Sequence, residues 1–218
     1  MNKNAIIITL VSVIAIFGFL IVAYNLTNQP AKDTYVKEMT VVNADDNVTW
    51  SKTKKNVMIE YGDLQCPACK TFHSLIQQEI INMKDPIMAN TTFVYRHFPL
   101  TIHEHAEEAA YAAQAAAKQN KFFEMVDKLY NNQDAWSKAD NVKEIFLGYA
   151  KELKLDVQQF EQDMNSSAIK EKVQKDLSSG NTIAGVNATP TFFYNGYKID
   201  NFKSFDEFLA RIRAKANK

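Results

Sequence analysis

Val57-Met58-Ile59-Glu60-Tyr61-Gly62-Asp63-Leu64-Gln65-Cys66-Pro67-Ala68-Cys69 passes from a β-prone run into a cysteine pair at the mouth of a helix. Val57 to Tyr61 reads as a buried central strand. Pro67 suits a first helical turn, because its missing N–H would have no partner there. Phe72, Leu75, Ile76 and Ile80 then recur at helical spacing and carry the helix to about Met83. Cys66 therefore sits beside unpaired backbone N–H groups and the positive end of the helix dipole. Both favour a thiolate, which is the nucleophile of disulfide exchange. Cys69 falls one turn further on, within reach of an intramolecular disulfide. Cys66 is expected to be exposed and to form mixed disulfides, and Cys69 to be more buried and to resolve them. Ala68 brings no charge and no donor. Thiolate stabilisation is thus expected to rest mostly on the backbone, in a pair less oxidising than one with His at that position.

The chain has 218 residues and two cysteines, both in this pair. So small a loop cannot staple a fold, which leaves a redox dithiol or half of a metal site. Cys66, Cys69 and His73 share a helical face, but zinc usually gathers three or four such ligands. No second Cys-x-x-Cys follows, and His97, His103 and His105 lie elsewhere, so no metal is expected. Lys+Arg and Asp+Glu number 25 each. That balance gives no long-range pull toward nucleic acid.

At the N-terminus, Lys3 precedes an uncharged run from Ala5 to about Leu26. About 20 apolar residues span a bilayer, and the leading charge places the N-terminus inside. Residues 1–26 are expected to be a membrane anchor, or a signal cleaved after Ala23. Residues 27–40, polar and containing Pro30, read as a linker. Residues 41–218 would then form a domain on the oxidising side, at the cell membrane or, after cleavage, secreted or periplasmic. There a dithiol can rest as a disulfide.

Further along, Thr91 to His97 reads as a second strand. Thr101 and Glu104 match a capping box ahead of an alanine face at Ala106, Ala109, Ala110, Ala113 and Ala117. Phe122 to Tyr130 and Val142 to Leu153 give two more helices. Asp156 caps a short one carrying Phe160 and Met164, and Ile169, Val173 and Leu177 mark another. Thr191 to Tyr194 and Tyr197 to Asp200 flank Asn195-Gly196, a type I′ hairpin signal. Ser204 and Glu207 form a second capping box before the helix of Phe205, Phe208, Leu209 and Ile212. Strands interleaved with helices argue an α/β layered domain, with a helical insertion at about 101–165.

The strand-to-Cys66-Pro67-Ala68-Cys69 unit, Tyr95-Arg96-His97-Phe98-Pro99-Leu100, and Ala188-Thr189-Pro190-Thr191-Phe192-Phe193 ahead of Asn195-Gly196 occur together. The combination resembles the DsbA-like thioredoxin-fold proteins, in the membrane-anchored bacterial branch resembling BdbD, over about 41–218. The resemblance implies a thioredoxin fold with a helical insertion and the activity of a protein thiol–disulfide oxidoreductase. It implies no cofactor beyond the Cys66–Cys69 disulfide. Pro190 is expected to be cis beside Cys66, and the Thr189 backbone to pair with extended substrate. Pro67 and Ala68 border the same substrate site. Glu60, six residues before Cys66, is expected to be a buried acid relaying the proton of Cys69. The implied partners are reduced or unfolded secreted proteins and a DsbB-like or VKOR-like membrane quinone reductase. The chain is expected to be a monomer held at the membrane by its N-terminal helix. Its direction stays open between oxidase, the leading expectation, and reductase or isomerase. A metal- or peptide-binding chaperone using the same groove is the alternative of another class.

Overall fold

The computed structural model describes residues 13, 15–24, 34–53, 55–82 and 84–216. They divide into two compact units, 1–33 and 34–218. In the first, residues 15–24 are helical and carry exposed Ile16, Phe17, Phe19, Leu20, Ile21 and Val22. Among the described residues, no helix is long and apolar enough to cross a membrane. Much of the apolar run from Ala5 to Leu26, expected to be an anchor, lies outside the described residues.

The second unit is built on a sheet. Its strands are β1 (Asn47–Trp50), β2 (Asn56–Gly62), β3 (Thr91–His97), β4 (Thr191–Tyr194) and β5 (Tyr197–Ile199), in the order β1-β3-β2-β4-β5. β2 and β3 run parallel, and the other pairings are antiparallel. β2 is buried along its whole length, as expected for a strand covered on both faces. The edge strand β1 adds to the expected element order. It has four residues and no fully buried position, so it lacks the alternation that marks a strand in sequence.

Alternation along β2 sorts its side chains by face. Val57, Ile59 and Tyr61 join Val94 and Phe193 in one cluster. Met58 joins Phe93, Tyr95, Phe192 and both cysteines in the other. Glu60 shares the parity of Met58 and so points toward the cysteine helix. That helix, α1 (Pro67–Leu75), continues as π-helical turns to Asn82. It packs through Phe72, whose ring lies 4.8 Å from Phe192 and 5.0 Å from Phe208. Phe208 belongs to the C-terminal helix, Phe205–Ala216. The β4–β5 turn has φ of 49° at Asn195 and 82° at Gly196, as a type I′ turn requires. Asn195 Oδ1 also accepts from Val57 N at 2.9 Å, which ties the hairpin to β2.

After the short α2 (Ile87–Asn90), the helices between β3 and β4 are α3 (Ala106–Lys118), α4 (Phe122–Asn131), α5 (Gln133–Trp136), α6 (Lys143–Glu152), α7 (Val157–Asn165) and α8 (Ser167–Ser179). The last ends in π-helical turns to Ala184, with Gly185 left-handed at φ 60°. Asp156 caps α7, accepting from Gln159 N at 3.0 Å. Ser204 accepts from Glu207 N at 3.2 Å, and the Glu207 carboxylate reaches one residue further back than a standard box, to Lys203 N. The expected capping box at Thr101 and Glu104 does not form. α3 begins at Ala106 behind His105, with no side-chain cap. The preceding turn is held instead by side chains from the loop before Cys66. Asp63 Oδ2 accepts from Leu100 N at 2.9 Å and pairs with His103 Nδ1 at 2.7 Å. Gln65 Oε1 accepts from His105 N at 2.6 Å.

Candidate active site

Cys66 occupies the N-cap position of α1 with extended backbone, φ −72° and ψ 123°, and Pro67 opens the helix. Both thiols are free. Pro67 and Ala68 are exposed at the helix tip, whereas Cys69 is wholly buried in the core. The expectation of an exposed Cys66 is corrected: 7% of the residue is accessible. The loop before β4 covers it. The Thr189–Pro190 bond is cis, and Cys66 Sγ donates to Thr189 O at 3.4 Å. The structure thus brings Cys66, Cys69, Pro67, Ala68, Thr189 and Pro190 to one place, with Glu60 beneath.

The two thiols are driven apart in acidity. The Cys66 thiol falls to about 5, most of all because the Cys69 thiol donates to it, with burial opposing. Thr189 and the backbone N–H groups of Cys69 and Ala68 add smaller shares. The backbone is therefore not the main support; the partner thiol is. At Thr189, the carbonyl can accept from the thiol but cannot steady the thiolate. The Thr189 hydroxyl, buried with no other partner, is the group there able to donate to sulfur. Cys69 is pushed well above its ordinary value, first by burial, then by its bond to Cys66 and the nearby charge of Glu60. Glu60 is 5% exposed. Burial, reinforced by the Cys66 charge, pushes its carboxyl up to about 8. Titrating groups forced apart in this way mark which one gives and which takes a proton.

A polar frame holds the loop in place, and its members carried no functional expectation. Asp63, buried three residues before Cys66, also accepts from Gln65 N at 2.7 Å. Gln133 Nε2 on α5 donates to Leu64 O at 2.9 Å and to Cys66 O at 3.2 Å. Gln65 Nε2 reaches Ser137 O at 2.9 Å. A buried amide or carboxylate bonded to backbone fixes geometry, because each bond lost leaves an unpaired polar group. His103 and His105 serve this frame. His97 is buried and held neutral, its pKa driven well below the ordinary value by burial. His73 turns from the thiols toward Asp127, with Nε2 2.9 Å from Oδ1. Among the described residues, no three His, Cys, Asp or Glu side chains are placed to hold a metal ion.

A cysteine pair opening a helix, faced by a cis-proline loop on a sheet with inserted helices, defines the DsbA-like class of thioredoxin fold. The thioredoxin family model matches residues 48–214, and the chain belongs to that family. Among solved structures, α-DsbA1 of Wolbachia pipientis is 24% identical, with a TM-score of 0.71 over 84% of this chain and 96% of that one. BdbD of Bacillus subtilis is 21% identical, with a TM-score of 0.68 over 87% and 100%. These likenesses establish the fold. A curated relative, Na(+)/H(+) antiporter NhaA 1 of Mycolicibacterium vanbaalenii, is 33% identical over 187 residues, 84% of this chain. The chain spans 29% of that relative's length.

Proposed function

We propose that this chain is an extracytoplasmic protein thiol–disulfide oxidoreductase that passes its Cys66–Cys69 disulfide to reduced secreted proteins. The observation carrying this is the split between the thiols. Cys66 falls to about 5 while Cys69 is pushed well above its ordinary value. A substrate thiolate attacks Cys66 Sγ, the S–S bond breaks, and Cys69 leaves as a thiolate that takes up a proton. A second substrate thiolate then attacks the substrate sulfur of the mixed disulfide. The substrate gains its disulfide, and Cys66 leaves as a thiolate. A low-pKa thiol leaves readily, so the split favours giving the disulfide away.

Thr189 and Pro190 border the attacked sulfur and offer backbone to extended substrate, with Pro67 and Ala68 on the other side. The apolar run from residue 5 to residue 26 supports a membrane-anchored chain with this domain outside. Electrons would then pass to a membrane partner of the DsbB or VKOR type and on to quinone. Ala68 supports a second reading, a reductase or isomerase. With no charged group at that position, the thiolate has one fewer source of support. Alkylation trapping in intact cells separates the two. An oxidase keeps the pair mostly as disulfide; a mostly dithiol pair would overturn the oxidase reading.

A further inference from the structure

Glu60 does not end in packed core. Its carboxyl lines a cavity of about 270 Å³ that runs between β1, α1 and α4. Trp50, Phe93, Met88 and Phe123 make its walls apolar, and no Lys or Arg of the described residues lines it. His73, Gln77 and Asp127 are its other polar members, along with Thr49. Exposure rises from one end to the other. Glu60 is 5% exposed, and the side chains of His73 and Asp127 are 15% and 42% exposed.

We infer that this cavity is the proton inlet of the redox pair, with His73 and Asp127 at its mouth passing protons from solvent to Glu60. The inference rests on the exchange chemistry proposed above. When the disulfide opens, Cys69 leaves as a thiolate inside the core, where burial penalises the charge. The proton comes from the Glu60 carboxyl: the O–H bond breaks, the S–H bond forms, and Glu60 is left a carboxylate. No lysine or arginine of the described residues lines the cavity, so the charge is removed by taking up another proton. Cys66 at the N-cap of α1 acts on Glu60, and Glu60 in turn acts on Cys69 of α1, Tyr95 of β3 and Tyr130 of α4. Both tyrosines hold their protons well above their ordinary range, chiefly through burial, so neither resupplies Glu60.

The cavity offers the remaining route. A water occupies about 30 Å³ of liquid, so a short chain of waters fits. Imidazole is the side chain best suited to pass protons near neutrality. His73 Nε2 is buried beside Asp127 but makes no aligned hydrogen bond. Gln77 Nε2 already donates to Asp127 Oδ1 at 3.0 Å. His73 Nε2 lies 2.9 Å from Asp127 Oδ1, close enough for a proton to pass between them, and the residue borders the cavity. His73 also packs on the Tyr130 ring at 4.8 Å, which fixes its plane.

The test is rapid mixing of the oxidised full chain with dithiothreitol across pH, following disulfide opening and proton uptake by an indicator dye. The variant is His73→Phe with Asp127→Asn, which keeps the ring on Tyr130 and an amide beside Gln77. Disulfide opening should slow about tenfold, less than the roughly 100-fold or more expected from losing a general acid itself. Free imidazole should restore the rate of the double variant and leave the wild type unchanged. A folding defect would not respond to a small buffer acid. An unchanged rate at every pH, or a loss that imidazole does not reverse, overturns the inlet. If Glu60→Gln is slow while the double variant matches wild type, the inlet alone fails. If the wild-type disulfide does not exchange with the dithiol, the proposed function fails first.

Discussion

Replacing Cys69 by Ala tests whether the acidity of Cys66 belongs to the helix end or to the partner thiol. The largest support for the Cys66 thiolate is the Cys69 S–H, ahead of Thr189 and two backbone N–H groups. A hydrogen bond to a charged group contributes about 1.5–3 kcal/mol, and one pKa unit corresponds to about 1.4 kcal/mol. Losing that bond should raise the Cys66 midpoint from about 5 by about 1–2 units. Thr189 and the backbone donors remain, so the thiol stays below its ordinary value of 9.0. Thiolate ultraviolet absorbance against pH reads the midpoint, and the pH dependence of iodoacetamide alkylation checks it. A midpoint still at about 5 would show that backbone and dipole suffice, and would refute the reasoning. The same shift enters stability. A thiol depressed in the folded state stabilises the reduced protein fully above its unfolded pKa, and loses that contribution as pH falls through the folded value. At pH 7 the wild type should hold about 1–2 kcal/mol this way, after allowing for solvent screening at the sulfur. The variant should hold correspondingly less.

Thr189→Val keeps the carbonyl and the shape but removes the hydroxyl donor, so the Cys66 midpoint should rise by less than in Cys69→Ala; an unmoved titration would remove the hydroxyl from the account. Glu60 has the opposite sign to Cys66. Burial, the larger cause of its raised carboxyl, persists when the pair is oxidised, so oxidised wild-type protein should lose stability as pH climbs above the ordinary carboxyl value of 4.5 into the neutral range. Glu60→Gln should be flat across that window in denaturant unfolding; parallel curves for the two proteins would contradict this. Ala68→His adds a group able to favour the thiolate, and should raise the reduction potential measured against glutathione. No upward shift would sink it.

The strand-to-helix unit was legible because two local signals agreed there: a compact β-prone run and a proline at the first helical turn. Asn195-Gly196 was legible for a similar reason, since few residues accept positive φ at both turn positions. β1 was not, because four half-exposed residues on an edge carry little periodicity. The turn at residues 101–105 was misread for a different reason. Its donors are satisfied by Asp63 and Gln65, 37 and 40 residues earlier in the chain, and no local motif encodes such a partner. The cover over Cys66 comes from Thr189, 123 residues away. A helix N-terminus alone implied an open thiol. Asp63 carried a weak signal, as the one charged residue between Glu60 and the cysteine pair.

The unequal acidity of the thiols follows from the helix that carries them, and register adds an acid beneath it. Glu60 lies opposite Tyr95 of β3 and Phe192 of β4, and alternation along β2 turns it to the face packed by α1. A one-residue slip would send it to the opposite face, among Tyr61, Phe98 and Phe193. The helix then separates its two sulfurs. Cys66 stays at the N-cap, where donors converge, and Cys69 enters the core one turn later, where charge is penalised. The same bond serves both ends: the proton that Cys69 retains is the one it donates to Cys66. Opening the disulfide therefore creates one stable thiolate and one site that demands a proton, and the central strand carries an acid beneath that site.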